Sequence, residues 1–187
     1  MGRDKRCLLW DGEPFLDRVC RVMSGLFNEV LVVTATDDYD CSNLPVRLVT
    51  DKIPNKGSLG GLYTGLVEAK NPLIFVVACD MPFLVEDSIL RLCLEPETDF
   101  LTVKTPAGLQ PLHARYSKSC IPVIERMIQE DDLKIQNVFS NQGFTLRSIE
   151  EEFFDDIDPH RLSCMNINTP ADLEFAKKMF SGPAVSQ

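Results

Sequence analysis

The chain has 187 residues, 44% hydrophobic and 25% charged, with a net charge of −9 and a pI near 4.7. This is ordinary globular composition, long enough for one sizeable α/β core. No basic stripe accompanies the acidity, so nucleic acid is not expected as a partner, whereas one local lysine and a metal would suffice for a small phosphorylated substrate. Seven cysteines scatter without a C-x-x-C pair, which predicts reduced core thiols in the cytosol, not a disulfide framework or zinc site. Met1-Gly2-Arg3-Asp4-Lys5 reads as neither a signal peptide nor a myristoylation signal. No apolar run reaches membrane-spanning length, so a cytoplasmic protein without a membrane partner is expected.

In chain order, Leu8-Leu9-Trp10 stands out of a polar start, and Asp11-Gly12 predicts a small hairpin. Pro14 suits a helix start, and Phe15, Leu16, Val19, Cys20, Met23 and Leu26 then fall on one helical face. Val30-Leu31-Val32-Val33 predicts a buried strand, and a polar loop follows over 34–43. Val46-Arg47-Leu48-Val49 is another short strand, ending at Thr50-Asp51. Gly57-Ser58-Leu59-Gly60-Gly61 leads into a helix with Leu62, Leu66 and Ala69. Leu73-Ile74-Phe75-Val76-Val77-Ala78 is continuously apolar and reads as the buried central strand of a parallel sheet, stopped at Asp80 and blocked by Pro82.

Beyond Pro82, Ile89, Leu90, Leu92 and Cys93 mark a helix. Strands over 100–103 and 110–116 flank the turn Thr105-Pro106-Ala107-Gly108, and so short a connection predicts an antiparallel pair. Ile121, Ile124, Met127 and Ile128 mark another helix, and Leu133, Val138 and Phe139 a shorter one ending near Gly143. Residues 144–149 read as a strand, 150–160 with six acidic groups as a solvated loop, and 164–168 as a short strand. Thr169-Pro170-Ala171-Asp172 has the form of a helix start, and Gly182 is the expected stop, with a loose tail over 181–187. No repeat or linker interrupts the pattern. It predicts a single domain over 1–187 with a three-layer, doubly wound, mostly parallel α/β sheet.

Asp80 is the lead candidate for a metal ligand, because open α/β sheets bind ligands beyond the C-terminal ends of their strands. A hard cation such as Mg²⁺ needs only one or two carboxylates when phosphates and waters complete its shell. Asp51 ends the preceding strand and falls on the same edge, although either residue alone is more commonly a turn aspartate. Gly57, Gly60, Gly61 and Gly65 lie between a strand end and a helix, where backbone N–H groups approach anions, or where helix and sheet simply pack closely. Neither a G-x-G-x-x-G nor a phosphate-binding P-loop is present. Lys5 would neutralise a phosphate or lie solvated. Asn166 and Asn168, two apart in a strand, would share a face, or Asn168 would only assist the cap. His113 and His160 lack neighbours at ligand spacing and read as structural or surface residues. No nucleophile motif appears, which suits phosphoryl-type chemistry built on positioning and charge neutralisation.

Taken together these segments resemble a family. Met1-Gly2-Arg3-Asp4-Lys5 is similar to the end of a nucleotidyltransferase signature, L-A-G-G-x-S-x-R-M-G-x-D-K. Asp51 matches the aspartate before that family's Gly-rich turn, and Lys56-Gly57-Ser58-Leu59-Gly60-Gly61 resembles its G-P-L-A-G, with Ser58 in place of proline. Cys79-Asp80-Met81-Pro82-Phe83 matches C-D-M-P-F, and Asn166-Ile167-Asn168-Thr169-Pro170-Ala171-Asp172-Leu173 matches N-x-N-T-P-x-D-L. The chain thus resembles the molybdenum cofactor guanylyltransferases of the MobA type from residue 1 to about 180.

The resemblance implies a Rossmann-like nucleotidyltransferase fold. It also implies GTP as substrate, Mg²⁺, and transfer of GMP to the terminal phosphate of the molybdenum-bearing pterin with release of pyrophosphate. By position, Asp80 would hold Mg²⁺ and Lys5 would contact the GTP phosphates. Asp51, Gly57, Gly60 and Gly61 would line the nucleotide pocket, and Asn166 and Asn168 would face the reacting phosphates or the pterin. Molybdoenzymes or cofactor-insertion proteins would be its protein partners. The sequence starts partway through the signature, which leads to the expectation of an N-terminally truncated enzyme lacking the family's first strand and phosphate loop. The strands at 30–33 and 73–78 would then present unpaired edges to each other. Two other readings stand beside this one: a non-catalytic nucleotide-binding or docking module, and a nucleotidyltransferase for another nucleotide or a sugar phosphate.

Overall fold

A computed structural model of the chain describes residues 9–36, 41, 43–140 and 143–180. The hairpin forms from β1 (Leu9–Trp10) and β2 (Glu13–Pro14). Asp11 at φ 49° and Gly12 at φ 84° supply the two left-handed residues that a tight two-residue turn needs. α1 (Phe15–Leu26) follows, with Phe15, Leu16, Val19, Cys20 and Met23 buried along one face. β3 (Leu31–Thr34) and β4 (Arg47–Thr50) pair in parallel, with Leu31 opposite Arg47 and Thr34 opposite Thr50. α2 (Gly57–Glu68) connects them to β5 (Leu73–Val77), and α3 (Glu86–Leu94) comes next. β6 (Phe100–Thr105) and β7 (Gly108–Ser117) are antiparallel, as their short connection requires, and β7 also pairs antiparallel with β5. After α4 (Ile121–Gln129), β8 (Leu146–Glu150) joins β6 in parallel, giving the order β5-β7-β6-β8. α5 (Pro170–Phe180) is the last described element.

Helices cover both faces, because β5 and β6 alternate their apolar side chains between them. Ile74, Val76 and Phe100 pack with Leu59, Leu62 and Leu66 of α2 and Ile124 and Met127 of α4. On the opposite face Phe75 and Val77 pack with Val19 and Met23 of α1 and Ile89 of α3. Val30 joins that second cluster, while Val32 and Cys79 share another with Leu16 and Cys20. β3 and β5 therefore run in the same sense beside α1, and their C-terminal ends lie at the same side of the fold. This is the three-layer α/β arrangement expected from the sequence.

Several expectations change. β5 is not the buried centre: each of its residues is half-buried, and among the described residues it bonds only to β7. β6 takes that place, with Phe100, Leu101, Thr102 and Val103 buried, because it has paired neighbours on both edges and helices on both faces. The shorter helix after α4 is a 3-10 helix over Ile135–Ser140. The stretch at 150–160 is solvated only in part: Glu150, Glu152, Asp155 and Asp156 are exposed. It opens with a 3-10 helix over Glu151–Phe154 and buries both Phe154 and Asp158. Asp158 tolerates burial because its carboxylate accepts the N–H groups of Leu162 and Ser163, each at 2.9 Å. No strand forms at 164–168; a 3-10 helix over Leu162–Cys164 is followed by extended chain.

Other buried polar groups are similarly placed. The Arg115 guanidinium, on β7, donates to the carbonyls of Leu92, Cys93, Glu95 and Pro96 at 2.6–3.2 Å, satisfying the C-terminal end of α3. Burial pushes the thiols of Cys20 and Cys164 up to about 12 and that of Cys120 up to about 11, which makes them core residues rather than reactive ones. Among the described residues no helix is long and apolar enough to cross a membrane.

His113 is fully buried on β7, edge-on to Phe75, beside a small, mainly apolar space lined also by Val103, Phe154 and Asp158. Burial lowers its imidazole from 6.5 to about 4, with Asp158 opposing the shift. The unfolded histidine therefore takes up a proton first, and stability falls as pH drops from about 6.5 toward about 4. Urea titrations across that window should show a falling midpoint, and His113→Met should flatten that part of the slope.

Candidate active site

The end of β5 is where distant parts of the chain meet. Ala78 continues the pairing with β7 through a bond to the Leu112 carbonyl at 3.2 Å, and Met81 N–H turns back to the Ala78 carbonyl at 3.3 Å. Between them, the Asp80 carbonyl accepts the N–H of Ile167 at 2.8 Å. Ile167 is thereby bonded to the turn after β5, although residues 164–168 form no strand. The Ile167 side chain is buried with Trp10, Phe15, Phe83 and Ala176, and the rings of Trp10 and Phe83 meet edge to face at 4.7 Å. Arg18 Nε donates to the Pro82 carbonyl at 2.7 Å. The backbone around Asp80 is thus held from β7, from α1 and from residue 167, and Asp80 itself is half-buried.

Asn166 and Asn168 flank the Ile167 anchor, the first half-buried and the second exposed. The Asn168 and Thr169 N–H groups donate to Asp172 Oδ2 at 2.9 and 2.8 Å, and Asp172 N–H donates to Thr169 Oγ1 at 3.1 Å. This reciprocal cap opens α5. The Asn168 N–H, followed by Thr169, holds the Asp172 carboxyl below the usual carboxylate range. The structure therefore brings Asp80 and the Asn166–Asn168 segment together. Asn168 contributes its backbone N–H to the cap, and the segment that carries the two asparagines belongs to no strand.

The second group forms where β4 meets α2. Asp51 N–H donates to the Thr34 carbonyl at 2.8 Å, extending the β3–β4 ladder. Asp51 Oδ1 accepts from Ile53 N–H at 3.1 Å and from Thr64 Oγ1 at 2.8 Å. Thr64 Oγ1 in turn accepts from Lys52 N–H at 3.0 Å. Gly60 is required by close approach: a Cβ there would stand 3.0 Å from Asp51 Oδ2 and 3.0 Å from the Ile53 carbonyl oxygen. Gly57 begins α2 at φ 57°, a conformation glycine adopts without strain. Gly61 faces open space, and a Cβ there would meet nothing within 4 Å. Close packing thus accounts for Gly60, while no neighbour requires a glycine at 61. Lys56, next to this turn, pairs with Asp131 at 2.7 Å.

Thr64 belongs to this constellation, although no motif in the sequence singles it out. Its signal was a small hydroxyl residue one helical turn after Gly60, on the same face of α2. Lys5 lies outside the described residues. Among those described, no group of three or more His, Cys, Asp or Glu gathers as a metal cage. A single strand-end carboxylate with amide residues nearby is nevertheless a hard-oxygen donor set, compatible with a cation that takes most of its shell from phosphates and water.

The chain is similar to known proteins over most of its length. The family described as the MobA-like NTP transferase domain matches residues 1–145. The molybdenum cofactor guanylyltransferase of Desulfosudis oleivorans is 30% identical over 187 residues, covering 99% of this chain and 91% of the relative. A solved structure from Archaeoglobus fulgidus, described as molybdopterin-guanine dinucleotide biosynthesis protein A, superposes with a TM-score of 0.83 at 24% identity, covering 96% of this chain and 92% of that one. The 2-C-methyl-D-erythritol 4-phosphate cytidylyltransferase of Thermus thermophilus superposes with a TM-score of 0.68 at 15% identity, covering 94% of this chain and 92% of that one. At these identities the two solved structures show the shared fold.

The Ile167 anchor has a measurable consequence. Ile167→Ala should destabilise the protein by about 2–4 kcal/mol in urea titration, as expected for truncating a fully buried aliphatic side chain.

Proposed function

The chain belongs to the MobA-like NTP transferase family, and from that premise we propose that it transfers GMP from GTP to the terminal phosphate of the molybdenum-bearing pterin. Nucleotidyl transfer is the chemistry of the family. The choice of GTP and pterin is carried over from the guanylyltransferase relative. The observation that carries the reading is the bond from Ile167 N–H to the Asp80 carbonyl at 2.8 Å, which sets a strand-end carboxylate beside the asparagine segment.

In the proposed reaction an oxygen of the pterin phosphate forms a bond to the α-phosphorus of GTP. The bond from that phosphorus to the oxygen bridging to the β-phosphate breaks, and pyrophosphate leaves. Asp80 would hold Mg²⁺, whose contribution when bound is to neutralise charge on the phosphates. Lys5 would add a positive charge against the same phosphates. Asp51, Gly57, Gly60 and Gly61 would line the nucleotide side, where Asp51 accepts hydrogen bonds from nucleoside donors and the start of α2 presents backbone N–H groups. Asn166 and Asn168 would bind phosphate or pterin oxygens. The rest of the chain supplies positioning, which is most of what phosphoryl-type transfer asks of a protein. A cytosolic setting suits the free thiols of Cys20, Cys120 and Cys164.

Asp80→Asn should lower Mg²⁺-dependent transfer by about a hundredfold or more while leaving the melting temperature unchanged. Wild-type turnover in that variant would remove Asp80 from the metal site. In calorimetric titrations with Mg²⁺ present, GTP should bind more tightly than ATP or CTP. Equal binding of either competitor would overturn guanine as the preferred base.

A further inference from the structure

We propose that Thr64 is the positioning residue that aims the Asp51 carboxylate at the nucleotide. The inference rests on the reading of Asp51 as a pocket residue and adds a residue that does not itself touch the ligand.

Thr64 is completely buried on α2, and its hydroxyl makes two bonds with opposite sense. It donates its one proton to Asp51 Oδ1 at 2.8 Å and accepts from Lys52 N–H at 3.0 Å. Because Lys52 N–H already occupies the acceptor side, the hydroxyl proton has a fixed direction, toward Asp51. Ile53 N–H donates to the same Oδ1 at 3.1 Å, so that oxygen has both lone-pair directions used. Among the described residues Oδ2 receives no hydrogen bond, and it lies over the first turn of α2, 3.0 Å from where a Cβ on Gly60 would be. Rotating the carboxylate would break two hydrogen bonds. One oxygen is therefore committed to the protein, and the other is left facing the Gly-rich turn as a pre-set acceptor. A carboxylate held in one orientation binds a donor without first losing rotational freedom.

A purely structural role for Thr64 would staple residues 51–53 to α2 and nothing more. Three measurements on the full chain separate the two roles: GTP affinity by calorimetry with Mg²⁺ present, melting temperature, and a double-mutant cycle with Asp51. Thr64→Val keeps the shape and removes the hydroxyl, and it should weaken GTP binding by about tenfold, the loss expected when one charge-assisted hydrogen bond is misaimed. Thr64→Ser keeps the hydroxyl and should restore wild-type affinity whatever its effect on melting. In an Asp51→Ala background, Thr64→Val should weaken GTP binding no further, because the residue through which it acts is gone.

Wild-type GTP affinity in Thr64→Val, or a full additional loss in the Asp51→Ala background, overturns the inference. Should Thr64→Val unfold at the assay temperature, Thr64→Ala takes its place in the same cycle. Failure of the underlying reading looks different. If Asp51→Ala itself binds GTP like wild type, Asp51 is not a pocket residue, and the inference falls with that reading.

Discussion

A single backbone hydrogen bond, from Ile167 N–H to the Asp80 carbonyl, ties the last part of the chain to the strand that carries the candidate metal ligand. Wherever such a group is shielded from water, leaving it without a partner costs about 1–3 kcal/mol. The bond is protected by the cluster of Trp10, Phe15, Phe83, Ile167 and Ala176, which draws together the N-terminal hairpin, α1, the turn after β5 and α5. Three distant parts of the chain thus meet around one short contact. The positions of Asn166 and Asn168 relative to Asp80 follow from it, since they are the neighbours of the anchored residue.

The same rule, that buried polar groups must be satisfied, shapes the rest of the site. Arg115 lies inside the protein with its two terminal nitrogens donating to four carbonyls at the end of α3. Asp158 is buried because two N–H groups of the following turn meet its carboxylate. Asp51 and Thr64 satisfy each other and two further N–H groups, which fixes the loop between β4 and α2. In each case a side chain is held in one orientation by partners from another element, the kind of rigidity that a site working through positioning requires.

Much of the fold was legible from local pattern. The Asp11-Gly12 turn, the apolar face of α1 and the antiparallel relation of β6 and β7 all follow from chain-local rules, and so does the cap at Thr169. The misreadings came where local character was outweighed by a distant partner. The acidic run at 150–160 looked solvated, yet Phe154 supplies an anchor and Asp158 finds its donors inside. The segment at 164–168 has strand-like composition, but among the described residues it joins no ladder, and its Ile167 N–H donates to Asp80. Gly60 and Gly61 look alike in sequence, and only the approach of Asp51 and Ile53 separates a packing glycine from an open one.

By itself the sequence determined the class of the protein: helical and strand periodicities are local properties, and the motifs around Asp80 and Asn166–Asp172 identify the family whether or not the chain is folded. Tertiary structure alone decided which strand lies at the centre, because burial depends on neighbours at both edges and both faces, and β6 has these where β5 has a described partner on one side only. It also decided how the motifs meet. The Ile167–Asp80 bond and the Thr64–Asp51 bond join residues 87 and 13 positions apart, and no local pattern specifies the partner of a hydrogen bond that forms only after the chain has folded back on itself.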